Sequence, residues 1–411
     1  MELNYRLDKT VFDLVKKIKT KYWFALFGGM TAGLCAHLYQ FTNKLLNYDE
    51  IGNTPAGYGA GTELGRWGLS VLGELMGKIT GNYSLPMVNG LTALLFYVLS
   101  ACIIIRIFDL EDKILCLLMG TVFSTFPVVT ATYFFMFTAP YYSLSLFLAC
   151  ISAFLLTRDN KRIADYAIGV LTGIFATAIY QAYLPLILSI LYIKIIQMCF
   201  DEKEDLRKIF ITGISYIICF VLITGLYVLS ARAAVVMTGE ALEGYRGISS
   251  MGSITAGQLL YEVTRAYKCY FLLMSGFDVL ALNPTVIMRV VYFVINCSLL
   301  LMTGYNIIKR KSLLSMIPVL LELLFPVVVF FIFIMSPGDG NTYTLMMYNG
   351  IVIFVLPLAI LSSMMKRHEH PTEDVDGKNS FAIYKILSIS LAFALTAASA
   401  VFIWFSNGNY Q

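Results

Sequence analysis

Lys16-Lys17-Ile18-Lys19-Thr20-Lys21 runs directly into Tyr22-Trp23-Phe24-Ala25-Leu26-Phe27, and the apolar character continues to Phe41. A helix crossing the hydrocarbon of a bilayer needs about 20 mainly apolar residues, and the stretch 22–41 supplies them. Its basic flank predicts that this end faces the cytoplasm. Beyond the span the chain turns polar, with Asn47, Tyr48, Asp49 and Glu50, and later Glu63, Arg66 and Trp67. Adjacent carboxylates at the exit of a membrane helix fit either reactive groups on the outer side or a solvated loop.

The rest of the chain extends the membrane reading. Of 411 residues, 58% are hydrophobic and 14% charged, with a mean hydropathy of +0.74. A soluble domain carries about a quarter charged residues, so most of this chain is expected to be a bundle of membrane helices. The net charge of +4 does not point to nucleic acid, because the cations are sorted by topology. No cleavage pattern follows the first span, so no removable signal peptide is expected. The eight cysteines include no CxxC pair, and seven lie in or beside apolar spans, where they read as small packing residues. Cys269 alone is placed to face an oxidising compartment. His37, His368 and His370 are too scattered for a metal cluster.

Hydropathy and charge predict an all-α polytopic protein, a single domain over 1–411 with about eleven spans. They fall near 22–41, 86–108, 114–133, 138–156, 166–180, 182–199, 209–230, 285–307, 313–335, 345–365 and 381–404. Arg106 and Lys113, Arg158 with Lys161 and Arg162, Lys203 with Arg207 and Lys208, Lys309-Arg310-Lys311 and Lys366-Arg367 all fall on the same predicted side. That pattern puts the N-terminus inside and the C-terminus outside. Pro127, Pro140 and Pro185 interrupt the spans within 114–199, as in broken helices that line a cavity. Two outer segments are long, 42–85 and 231–284. In the first, a Gly-rich turn at 52–61 precedes an amphipathic pattern over 64–79, expected to lie at the membrane surface. In the second, 255–275 has the same character.

A carboxylate at the outer surface can take a proton from an incoming hydroxyl, and a cation can hold a departing phosphate. Asp49 is the first choice as base, with Glu50 or Glu63 as helper. The outer cations Arg66, Arg232, Arg246, Arg265 and Lys268 stand against the overall charge bias, and arginine's planar fork suits phosphate oxygens. A lipid headgroup contact fits each of them as well, and Arg66 could pair with Glu63 on one helical turn. Trp67 fits an interfacial anchor or a sugar-stacking ring. Tyr180-Gln181 and the cluster Asn341, Thr342, Tyr343, Tyr348 and Asn349 could bind sugar hydroxyls or anchor the interface. Glu322 is a carboxylate inside a span, a position that usually faces a cavity or a partner.

Tyr48-Asp49-Glu50, Leu64-Gly65-Arg66-Trp67, Tyr180-Gln181 and the late Tyr/Asn cluster together resemble the bacterial O-antigen glucosyltransferases of the Gtr type. That resemblance implies a polytopic enzyme of the GT-C class in the bacterial inner membrane, with its active site outside. It implies a polyprenyl-phosphate-linked sugar as donor, made inside and flipped outward by a partner synthase and flippase, and a cell-envelope glycan as acceptor. Asp49 and Glu50 match the family's acidic pair, Arg66 its Gly-Arg-Trp arginine and Gln181 its Tyr-Gln position.

The expected activity is therefore transfer of a hexose, glucose in the first instance, by single displacement with inversion. Phosphate would meet Arg66, Arg232, Arg246 or Arg265, while Trp67, Tyr180, Gln181 and Tyr343 would contact sugar or acceptor. Membrane lipids are expected partners and nucleic acid is not. No cofactor is identified from the sequence; a divalent ion on Asp49, Glu50 and Glu63 stays open. A transporter or flippase of lipid-linked sugars is the rival reading, drawing on Glu322 and the Pro-broken spans, and a polysaccharide polymerase or ligase would share the outer site.

Overall fold

The computed structural model describes residues 13, 15–45, 47–53, 61–81, 84–159, 161–201, 204–239, 241–242, 254–275, 285–310, 313–338, 342–366 and 375–410. Among them there is no strand, and the chain is a helical bundle. Its first helix, α1 (Thr20–Thr42), is built on small residues: Ala25, Gly28, Gly29, Ala32, Gly33 and Ala36 are all buried. Apolar side chains gain little from leaving lipid for another apolar surface, so membrane helices associate largely through close van der Waals contact, which small residues permit. We number α2 (Tyr48–Asn53), α3 (Trp67–Thr80), α4 (Pro86–Ile107) and α5 (Lys113–Thr125) next. A Cβ on Gly120 of α5 would lie 2.1 Å from the Ala25 carbonyl oxygen, and one on Gly28 2.5 Å from that of Leu117. Gly29 and Gly33 make the same close approach to Val98 and Leu94 of α4.

Two helices are broken, and side chains seal both breaks. α5 meets α6 (Pro127–Tyr133) at a bend of 41°. Pro127 has no N–H to give the Phe123 carbonyl, and the Tyr348 hydroxyl donates there instead, at 2.8 Å. His37 Nε2 donates to the Ser124 carbonyl at 3.0 Å, which leaves Nδ1 to accept from the Tyr410 hydroxyl at 2.9 Å. Further along, α13 (Ile317–Val329) ends before the short α14 (Ile332–Met335), and Asn349 Nδ2 donates to the carbonyls of Val328 and Val329. The freed backbone is thus satisfied inside the protein, as a non-polar surrounding requires. The other two prolines flagged in the sequence do not interrupt anything. Pro140 and Pro185 sit in the first turns of α7 (Ala139–Thr157) and α9 (Leu184–Phe200), where a missing N–H costs nothing.

The remaining helices are α8 (Ile163–Ile179), α10 (Leu206–Thr238), α11 (Ala256–Ser275), α12 (Val286–Arg310), α15 (Val352–Lys366) and α16 (Val375–Tyr410). The segment Tyr348–Lys366 is 94% buried and forms the centre, whereas α10 is only 22% buried and presents a long apolar face outward. Among the described residues seven helices are long and apolar enough to cross a membrane, or eight if the bent pair α5–α6 is one span. α8 and α13 are apolar but shorter, and α1, diluted by polar residues, is not among the seven. The expected count of about eleven is therefore not reached on length and composition. α10 also runs on to Thr238, so Arg232 lies on a helix and not in the loop the sequence suggested.

Basic residues gather at one end of the bundle. Lys21 bonds Glu111 at 2.9 Å, Asp109 at 3.4 Å and the Leu110 carbonyl at 2.8 Å. Lys366 pairs with Asp109 from α15, Arg158 with Asp165, and Arg310 donates to the carbonyls of Cys199 and Asp201. Asp109 adopts φ 52°, a left-handed conformation that aspartate tolerates better than most residues.

Candidate active site

The opposite end carries the candidate residues. The chain leaves α1 and forms the short α2, where Asn47 caps the turn: its Oδ1 accepts from the Glu50 N–H at 2.7 Å and its Nδ2 donates to the Phe134 carbonyl. This cap splits the acidic pair. Asp49 points outward and is exposed, whereas Glu50 is 1% exposed and accepts from the Ser84 hydroxyl at 2.7 Å. Burial pushes the Glu50 carboxyl above its ordinary pKa, against the opposing effects of Ser84 and Lys44.

Arg66 sits where a 3-10 turn, Thr62–Leu64, hands over to α3. Gly65 takes φ 71°, which a residue with a Cβ resists, and this reverses the chain so that the Arg66 side chain turns into the protein. Two polar residues clasp the turn. Gln181 Nε2 donates to the Leu64 carbonyl at 2.7 Å and to the Tyr227 hydroxyl at 2.8 Å, and that hydroxyl donates to the Gly65 carbonyl at 3.1 Å. Close packing helps: a Cβ on Gly68 would lie 3.0 Å from the Ala178 backbone at the end of α8. The sequence reading placed Gln181 and Trp67 against a sugar. Here Gln181 is buried in the clasp, and the Trp67 indole donates to Ser230 Oγ at 3.1 Å beside the Phe175 ring, tying α3 to α10.

The Arg66 guanidinium lies over tyrosine faces. Its Cζ is 5.2 Å from the Tyr180 ring centre and 5.9 Å from that of Tyr142, and these two rings stack 4.1 Å apart. Nη1 donates to the Tyr142 hydroxyl at 3.0 Å, while Nε is buried with no hydrogen-bond partner. Tyr343 and Tyr227 are near enough to act on it electrostatically. Among the described residues Arg66 makes no ion pair. Glu63, its expected partner, instead accepts from the Gly61 N–H at 3.3 Å. A cation held this way has hydrogen-bond donors to spare, and its charge is not neutralised by any described carboxylate.

Asp49 and Arg66 share a support. Asn47 is anchored on Phe134 and Arg66 on Tyr142, at the two sides of the turn between α6 and α7, and Asn89 holds that turn through the Met136 carbonyl at 3.1 Å. The other arginines are not drawn in. Arg232 is exposed on α10 without a hydrogen bond among the described residues. Arg265 bonds the buried Glu262 at 3.2 Å, Thr342 Oγ1 at 3.0 Å and the Gly338 carbonyl at 3.4 Å, and it lies 4.1 Å from the Phe333 ring centre, so it ties Gly338 and Thr342 to α11. Arg246 lies outside the described residues, as do Asn341 and the two late histidines. Tyr348 and Asn349, expected near sugar, are committed to the helix breaks. Among the described residues no three His, Cys, Asp or Glu side chains are close enough to hold a metal ion, and Glu50 and Glu63 are each turned to a local partner.

A family model described as glucosyl transferase GtrII matches residues 38–354. The chain belongs to the GtrII glucosyltransferase family. The match takes in α2, the Arg66 turn and Tyr180-Gln181, so the whole constellation lies within the GtrII region. No curated protein and no solved structure matches the chain. Sequence reasoning missed Tyr142, Tyr227 and Ser84. Only Tyr142 carried a usable signal, as part of Pro140-Tyr141-Tyr142 at the start of a predicted span.

Proposed function

We propose that this GtrII-family chain moves a hexose, glucose in the first instance, from a polyprenyl-phosphate donor to a hydroxyl of a cell-envelope glycan on the outer face of the membrane. In this reading the chain crosses eleven times. The seven long apolar helices, the bent pair, α1, α8 and the pair α13–α14 alternate in direction, with the N-terminus inside and the C-terminus outside. The basic end then faces the cytoplasm and Asp49 and Arg66 face out.

One observation carries the proposal: Arg66 is a guanidinium without a carboxylate, its Nε unpartnered, set beside tyrosine rings at the level where an amphipathic helix begins. The donor's phosphate supplies the missing anion. On α3, Val71, Leu75 and Ile79 recur every four residues and are at least half exposed, a platform for the polyprenyl chain. The acceptor oxygen attacks the anomeric carbon, the bond from that carbon to the phosphate oxygen breaks, and polyprenyl phosphate departs with the electron pair. Asp49, the exposed carboxylate, takes the acceptor's proton, and one such displacement inverts the anomeric centre. Glu50, held on Ser84, positions the turn that presents Asp49. Tyr180 and Tyr343 line the sugar's side of the phosphate.

The test is incubation of purified protein with a panel of radiolabelled polyprenyl-phosphate sugars. Wild type is expected to hydrolyse or transfer the glucose donor. Asp49→Asn is expected to retain its fold and lose turnover by about 100-fold or more, the usual scale of a general base. Full turnover by Asp49→Asn would remove that residue from the chemistry.

A further inference from the structure

At the basic end of the bundle, two concave surfaces meet beside the first turns of α10. One is an apolar groove of about 730 Å3 between α8 and α10, walled by Val170, Leu171, Ile214, Ile218 and Leu222. Next to its last lining residue, Leu222, the fully buried Ile223 packs against Gly173. The other is a polar pocket of about 470 Å3 that includes Arg158, Lys161, Lys194, Lys208 and Lys366 against Asp159, Asp201 and Glu204. Lys161 stands at the seam. Its ammonium is 5.6 Å from the centre of the Tyr166 ring, which lines the groove, and 5.2 Å from that of Tyr216, which lines the pocket.

The cations of this pocket are not equivalent. Arg158, Lys208 and Lys366 are paired with Asp165, Glu204 and Asp109. Among the described residues Lys161 and Lys194 make no ion pair; Lys194 is occupied by Gln197 and the Ile107 carbonyl, and Lys161 rests on the two ring faces with Asp159 near enough to act on it electrostatically. On α10 the groove runs from Ile211 to Leu222. At a rise of about 1.5 Å per residue that is roughly 17 Å, close to half of a hydrocarbon core about 30 Å thick. A groove one leaflet deep, with an ammonium at its mouth that makes no ion pair among the described residues, matches a chain attached to a negatively charged headgroup.

We propose that the α8–α10 groove and Lys161 form a binding site for an anionic phospholipid of the leaflet at this end. One acyl chain lies between α8 and α10, and the phosphodiester meets Lys161 at the edge of the polar pocket. The site is at the opposite end from Arg66 and does not depend on the glycosyl-transfer reading. A polyprenyl chain, much longer than one leaflet is deep, would run past Ile223. Ordinary lipid contact would show no preference among headgroups; the Lys161 cation imposes one.

The experiment uses the full chain reconstituted in nanodiscs of equal phosphatidylglycerol and phosphatidylcholine, released gently and weighed by native mass spectrometry. Wild type is expected to retain phosphatidylglycerol in preference. Lys161→Gln is expected to lower that occupancy about fivefold, the effect of one cation near an anionic headgroup, and Lys161→Arg to restore it. Ile218→Trp, which fills the groove without touching charge, is expected to displace the lipid while the circular dichroism melt stays cooperative. Equal retention of the two phospholipids by wild type, or unchanged retention by folded Lys161→Gln, would overturn the proposal. So would preferential retention of added polyprenyl phosphate. If Ile218→Trp does not fold, the Lys161 pair decides alone.

Discussion

A guanidinium stays charged at any working pH, and one that meets only tyrosines among the described residues has donors left for an anion. Arg66 is in that position, and Asp109 at the other end shows the contrary case. Burial works to raise the Asp109 carboxyl's pKa, but Lys366 and Lys21 overcome it and hold the group at about 2, below the ordinary 3.8. A carboxylate depressed on folding stabilises the fold fully above its ordinary pKa, and the contribution is lost as pH falls through the folded value. The melting temperature of purified wild type should therefore fall more steeply than that of Asp109→Asn between about pH 4 and pH 2. Parallel curves for the two proteins would show that the Lys21–Asp109–Lys366 contact does not stabilise the fold. At the candidate site, Arg66 was legible because a cation on the predicted outer side breaks the charge bias, and Asp49 because it follows a span. Gln181 was legible as a position but not in its role, since nothing local shows that it reaches Leu64, 117 residues away. Tyr227 was not legible, because a tyrosine within an apolar run looks like packing until the fold brings it to Arg66.

Helices whose backbones touch are sensitive to a single added carbon. Gly120→Leu would drive its side chain into the Ala25 carbonyl and force α1 away from α5, whereas Gly225→Leu on α10 meets nothing within 4 Å. Overpacking of this kind costs about 1–3 kcal/mol. Thermal unfolding in detergent should show a clear loss for Gly120→Leu and none for Gly225→Leu; equal melting temperatures would mean that α1 and α5 do not pack as described. Most helices were legible from hydropathy, and α3 and α11 from their amphipathic pattern. Proline was the ambiguous signal. Pro127 bends a helix while Pro140 and Pro185 start one, and the difference lies in whether a carbonyl four residues back needs a donor. The side chains that answer that need, Tyr348 and His37, come from remote parts of the chain.

Across the bundle, the ion pairs among the described residues other than Arg265–Glu262 collect at one end, and Asp49 and Arg66 lie at the other. If the chain crosses the membrane eleven times, the two ends face opposite compartments. In a cysteine-free background, Tyr48→Cys, at a position 89% exposed, should react with an impermeant maleimide in intact cells. Arg162→Cys should react only after the membrane is opened. The reverse pattern would invert the chain and place Asp49 in the cytosol. Such labelling fixes the side on which the site opens, and ligand binding then tests what it holds. The most direct measurement is the affinity of purified, reconstituted protein for radiolabelled polyprenyl-phosphate glucose, with Arg66→Met and Arg66→Lys compared with wild type. Loss of charge-assisted hydrogen bonds to the phosphate should weaken binding by Arg66→Met roughly 10- to 100-fold, with Arg66→Lys in between. Wild-type affinity in a folded Arg66→Met protein would show that the donor's phosphate lies elsewhere.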